Sequence, residues 1–175
     1  MKIRHAAVLL VAAFIATGAS AADKPPELAA IHAKSPCGEG SLHKFFFHVY
    51  DATLWKDAGP LDYRTPFALS LVYGIDATKE DLADNTISEL EKIHGRYAPE
   101  QEASLRQRYA ASFADVREGD RLTALYEPKR GAAMYQNGKL LSRLPPDLAK
   151  PFLDIWVSEK TSEPELRRAL LRCVT

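Results

Sequence analysis

With 175 residues, 46% of them hydrophobic and 26% charged, the chain has the content of one ordinary globular domain and not that of a disordered segment. Its 23 basic side chains balance its 23 acidic ones, so charge gives no ground for expecting nucleic acid or an anionic membrane as a partner. Nine Gly and eleven Pro without a period exclude collagen-like and low-complexity architectures.

The chain opens with Lys2 and Arg4, then eleven apolar residues over 6–16, then the small residues Ala19-Ser20-Ala21. This is the pattern of a secretory signal peptide over residues 1–21 with a cut after Ala21, which predicts a periplasmic or secreted protein. As a helix, eleven residues rise only about 16 Å, too short for a hydrocarbon core of roughly 30 Å, so no stable membrane anchor is expected. Export makes the two cysteines interpretable. Cys37 and Cys173 flank almost the whole mature chain, and an oxidising compartment favours pairing them within it. Closing so long a loop is worth roughly 4–5 kcal/mol in the chain-entropy model. Two inert thiols and an intermolecular bridge are the competing arrangements.

Residues 22–39 form a Pro- and Ala-rich tail ahead of a domain over 40–175. Residues 41–56 are rich in aromatic and β-favouring side chains and lack Pro and Gly, which predicts one long strand, or two joined at a bulge, covered on both faces for part of its length. Strict alternation predicts another strand over 67–73. The period then changes: Thr78 is a helix N-cap with acids in the first turn, and Leu82, Ile87, Leu90 and Ile93 form a stripe that runs to Gly95. A second helix starts near Pro99. Strands follow over 122–126, 132–136 and 139–144, the last two joined by Asn137-Gly138, a strong hairpin signal. Pro145-Pro146-Asp147 opens a helix that runs through Trp156, and Ser162-Glu163-Pro164-Glu165 is spaced as a capping box for a last one. The order of strands and helices predicts an α+β domain with helices packed on an antiparallel sheet.

No phosphate-binding glycine motif and no hydrolase nucleophile motif occurs, and no cofactor is expected. His43 and His48 are five apart, which on one regular strand puts them on opposite faces and argues against a metal site. Asp81, Asp84, Glu89 and Glu91 suit a solvated helix face. Asp51 and Asp154 each interrupt an apolar stretch, so each must be paired, hydrogen-bonded or at a sheet end.

Four stretches together resemble the bacterial, exported branch of the chalcone isomerase-like family. They are residues 46–55, residues 67–73, Gly119-Asp120-Arg121-Leu122 with the 135–139 hairpin, and residues 152–157 leading to 164–167. The resemblance implies an open-faced β-sandwich, a large antiparallel sheet with a helical layer on one side and a cleft between. Plant members close a chalcone into a flavanone without a cofactor; other relatives bind fatty acids. That chemistry needs a cation near the phenolate nucleophile, hydroxyl donors for the enolate and a dry cleft. On this chain the position of the plant enzymes' catalytic Thr falls on Tyr50 and that of their Tyr on Thr78. Their Asn is retained as Asn85, and their later Ser/Thr falls on Asp154. Lys44 stands nearest to their Arg, and Lys does not replace a planar guanidinium.

The resemblance therefore implies a cleft that binds a small amphipathic, acyl or aromatic molecule without chalcone isomerase activity. Lys44, Tyr50 and Asn85 are its polar groups, with Tyr73 and Asp154 behind them. The alternatives are a cofactor-independent isomerase or lyase acting on an α,β-unsaturated carbonyl compound, with Tyr50 as hydroxyl donor and Lys44 as anchor, and a periplasmic protein-interaction module.

Overall fold

The computed structural model describes residues 24–174; the signal peptide expected over 1–21 lies outside them. Six strands, β1 (Gly38–Lys44), β2 (Phe47–Lys56), β3 (Phe67–Tyr73), β4 (Arg121–Glu127), β5 (Gly131–Gln136) and β6 (Lys139–Leu144), form one antiparallel sheet in sequence order. Four helices, α1 (Lys79–His94), α2 (Pro99–Ala110), α3 (Pro146–Val157) and α4 (Pro164–Leu170), form the second layer.

Alternation decides which side chains meet the helices. Tyr50, Ala52 and Leu54 of β2 pair in register with Tyr73, Leu71 and Leu69 of β3. All six are buried in one core with Leu90 of α1 and Leu148, Phe152 and Leu153 of α3. Nearly every face of α3 is apolar and buried, as suits a helix wedged between the sheet and α1 and α2. Tyr109 of α2 donates its hydroxyl proton to the Leu148 carbonyl of α3 at 3.0 Å. At the sheet edge, α4 lies so close to β1 that a Cβ on Gly38 would stand 2.1 Å from the Ala169 carbonyl oxygen; glycine is the residue that permits this approach. Cys37, just before β1, is bonded to Cys173, just after α4, so the same edge is also tied covalently.

The opposite face of the sheet is covered by residues 24–33. Expected as a tail, this segment instead forms a short 3-10 turn (Pro26–Leu28) and buries Leu28 and Ile31 completely against Trp55, Ala68 and Leu125. Glu27 pins it by an ion pair with Arg121 at 3.2 Å, its own side chain almost fully enclosed.

Two further expectations are corrected. Residues 41–56 are not one strand or a bulged strand: the chain reverses at Phe45-Phe46, and β1 pairs with β2 as a hairpin. Phe45 takes a left-handed conformation (φ 56°) that an aromatic side chain seldom adopts, which is why no Gly or Asn marks the turn. The reversal sets His43 opposite His48, with ring centroids 5.0 Å apart, and not on the other face. Among the described residues no group of three metal-ligating side chains surrounds them. The Ser162 capping box of α4 does not form either. Glu163 is the N-cap without a side-chain hydrogen bond, because the Ser162 hydroxyl is donated to Glu89 of α1 at 2.5 Å. The Thr78–Asp81 capping box of α1 does form.

Candidate functional site

Beneath α1 and α3, at the Tyr50–Tyr73 end of the sheet, side chains do not meet. They leave a cavity of about 220 Å³. Leu42, Val49 and Leu122 of the sheet, Leu82 of α1 and Phe152 and Trp156 of α3 give it apolar walls. Its polar groups are the hydroxyls of Tyr50 and Tyr73, the amide of Asn85, and the charged Lys44, Asp81, Glu89 and Glu163. On α1, Asp81, Asn85 and Glu89 recur every fourth residue, and Leu82 and Thr86 do likewise, so one helical face supplies five lining residues.

The rim is built from hydrogen-bonded charges. Lys44 donates to Glu163. Glu89 accepts from Lys92 at 2.6 Å as well as from Ser162. Burial works against ionisation of Glu89, but the hydrogen bonds from Lys92 and Ser162 outweigh it and hold the carboxyl below the usual glutamate range. These contacts span α1, α4 and the end of β1, so the edge of the helical layer is closed by polar posts and the interior behind them stays open.

Tyr50 and Tyr73 face each other across the β2–β3 ladder with ring centroids 6.0 Å apart. Trp156 donates its indole N–H to the Tyr50 oxygen at 2.9 Å, which leaves the Tyr50 hydroxyl proton available to the cavity. The Tyr73 ring is 7% exposed, and among the described residues its hydroxyl has no hydrogen-bond partner. Burial raises the pKa of both phenols well above the ordinary tyrosine value, so both remain neutral proton donors.

Four of the five residues expected at the cleft, Lys44, Tyr50, Tyr73 and Asn85, line this cavity. Asp154 does not, which corrects its placement there. Its side chain turns toward the far end of the sheet, where it accepts the Tyr63 hydroxyl at 2.6 Å and the Lys150 ammonium at 2.7 Å. Asp51, the other acid in an apolar stretch, is exposed and accepts from Ser41 at 2.5 Å beside His48. Sequence reasoning missed Glu89, which is 9% exposed and not on a solvated face. The four-residue spacing from Asp81 through Asn85 was the signal that could have found it. Trp156 is a second such residue: the sequence marks it only as the end of a helix, whereas it lines the cavity.

A family model described as chalcone isomerase-like matches residues 37–172. No curated protein matches the sequence. Among solved structures, the crystal structure of a fatty-acid binding protein from Arabidopsis thaliana resembles this chain with a TM-score of 0.56 and 11% sequence identity, over 82% of this chain and 90% of that one. At that identity the likeness shows a shared fold.

Proposed function

The chain belongs to the chalcone isomerase-like family, and from that premise we propose an exported binding domain that holds a small, largely apolar molecule in the cavity between sheet and helices, without chalcone isomerase activity. The observation that carries this reading is the Tyr73 hydroxyl, which opens onto an apolar cavity and has no hydrogen-bond partner among the described residues. Solvent reaches it through the cavity, and a ligand that displaces that solvent must replace the hydrogen bond. A ligand oxygen would do so.

The charges at the cavity favour a ligand whose polar end is uncharged. Three carboxylates, Asp81, Glu89 and Glu163, line it beside the single cation Lys44, which is already engaged by Glu163. A free carboxylate or a phenolate would meet repulsion there. An alcohol, ester or neutral phenol could accept a hydrogen bond from Tyr73 or Tyr50 and bond to the Asn85 amide, which both donates and accepts. The acyl chain that the plant neighbour's description suggests is compatible with the walls, with its end as alcohol or ester. Two points support a protein without the isomerase reaction: a guanidinium is missing where plant members use one, and Lys44 is committed to an ion pair. Export rests on the leader-like residues 1–21 and agrees with the Cys37–Cys173 bond.

The test is displacement of a fluorescent apolar probe by a medium-chain alcohol and by the matching carboxylate. The alcohol is expected to displace it about tenfold better, Glu89→Gln to narrow that preference, and Tyr73→Phe to weaken displacement by the alcohol. Absence of probe binding, or equal displacement by both, would overturn the reading. A chalcone absorbance assay is expected to show only the background rate.

A further inference from the structure

The turn between β1 and β2 presents Phe45, Phe46 and Phe47 to solvent, 96%, 100% and 70% exposed. Nothing in the folding of this hairpin calls for aromatic rings there. The tight hairpin β5–β6 turns at Asn137-Gly138 with both residues at positive φ, the chemistry such a turn favours, and β4–β5 places the polar Lys129 in the left-handed region. Here Phe45 occupies the left-handed region instead and its ring packs on nothing. A strained, fully exposed aromatic residue is a feature that the fold tolerates for another reason.

The position of the tip indicates that reason. Lys44 lines the cavity and Phe45 is the next residue; Val49 lines it two residues after Phe47. The tip therefore continues directly from two strand segments that border the cavity. Their flanks carry His43, Lys44 and His48, and the nearby acids Glu163 and Asp51 are bonded to Lys44 and to Ser41 and His48.

From this arrangement we propose that the Phe45–Phe46–Phe47 tip is a membrane-contact site: it inserts reversibly into the interfacial region of a lipid bilayer and brings the strand segments that border the cavity close to the lipid. Each ring offers about 200 Å². Three on one convex turn fall short of the roughly 800 Å² per partner that a stable protein–protein interface buries. Aromatic side chains at a small protruding tip are, however, well suited to the headgroup level of a bilayer. Overall charge balance is no obstacle, because the contact is apolar and local. The site stands apart from the identity of the cavity's ligand, and either reading can fail without the other.

The disulfide-bonded protein carrying Phe46→Trp provides the test. With phosphatidylcholine vesicles its added tryptophan emission is expected to shift to the blue and to be quenched by lipids brominated on the acyl chains, while the enclosed Trp55 and Trp156 stay unquenched. Replacing Phe45, Phe46 and Phe47 together by Ser is expected to weaken vesicle co-sedimentation at least about tenfold and to leave the urea midpoint nearly unchanged, since Phe45 and Phe46 pack on nothing and most of Phe47 is exposed. Three results would overturn the proposal: vesicles that leave the emission of the added tryptophan unaltered, equal sedimentation of wild type and triple variant, or wild-type self-association that the triple variant loses, which would make the tip a contact between copies of the chain.

Discussion

Two aromatic clusters lie under the helices at opposite ends of β3, and they are built to different standards of completion. At the Phe67 end, Tyr63, Phe67 and Tyr126 hold their ring centroids 5.1–5.3 Å apart, and the Tyr63 hydroxyl is given to Asp154, which Lys150 also contacts. At the Tyr73 end, Tyr50 stands 6.0 Å from Tyr73 and 6.4 Å from Trp156, with hydroxyl capacity left over and a cavity between the rings and α1. One end satisfies its polar groups internally and packs solid. The other keeps both space and unfilled hydrogen bonds, and that combination separates a binding site from a packing defect.

Substitutions at the two ends should diverge accordingly. Phe67→Ala, 1% exposed in the solid cluster, is expected to cost about 3–5 kcal/mol in urea unfolding. Asp154→Ala removes the acceptor of the half-buried Tyr63 hydroxyl while the exposed Lys150 ammonium returns to solvent, an expected loss of about 1 kcal/mol, with little effect on ligand affinity. If Asp154→Ala abolished binding while leaving stability intact, the division between the two ends would be wrong. Leu82→Ala at the cavity removes a half-buried side chain that already borders empty space, and about 1 kcal/mol is expected. Tyr73→Phe should be the mildest for stability, within about 0.5 kcal/mol either way, since it removes a hydroxyl with no partner; its effect should appear in ligand affinity instead.

A pH series sharpens the same contrast. Glu89 has a depressed pKa in the folded chain, so its contribution is present above its unfolded pKa and lost as pH falls through the lower folded value. Stability is expected to fall with acidification across that range, and Glu89→Gln to flatten part of the slope by removing one of the posts at the rim.

Local chemistry made much of this molecule legible. The Thr78 cap, the Asn137-Gly138 turn and the alternation of 67–73 each depend on neighbours within a few residues, and each element stands where it was expected. What was misjudged depends on distant partners. Ser162 abandons its own helix for Glu89, and the phase of α3 that turns Asp154 toward Tyr63 is set by packing between layers. The Phe45-Phe46 reversal escaped because it breaks the local rule for turns. Leu28 and Ile31 sit in a Pro-rich stretch too short to show a period, so their burial beneath the sheet could not be inferred. Within the cavity, Tyr50, Tyr73, Asn85 and Lys44 were expected from family likeness, whereas the acidic collar that biases the choice of ligand emerged only once α1 had a face.

The bond between Cys37 and Cys173 joins positions whose Cα atoms are 4.8 Å apart and encloses 136 residues of sequence separation, which makes the domain a covalent ring. A protease that nicks the exposed residues 58–60 would produce two fragments still tethered to each other, able to stay assembled until a reductant arrives.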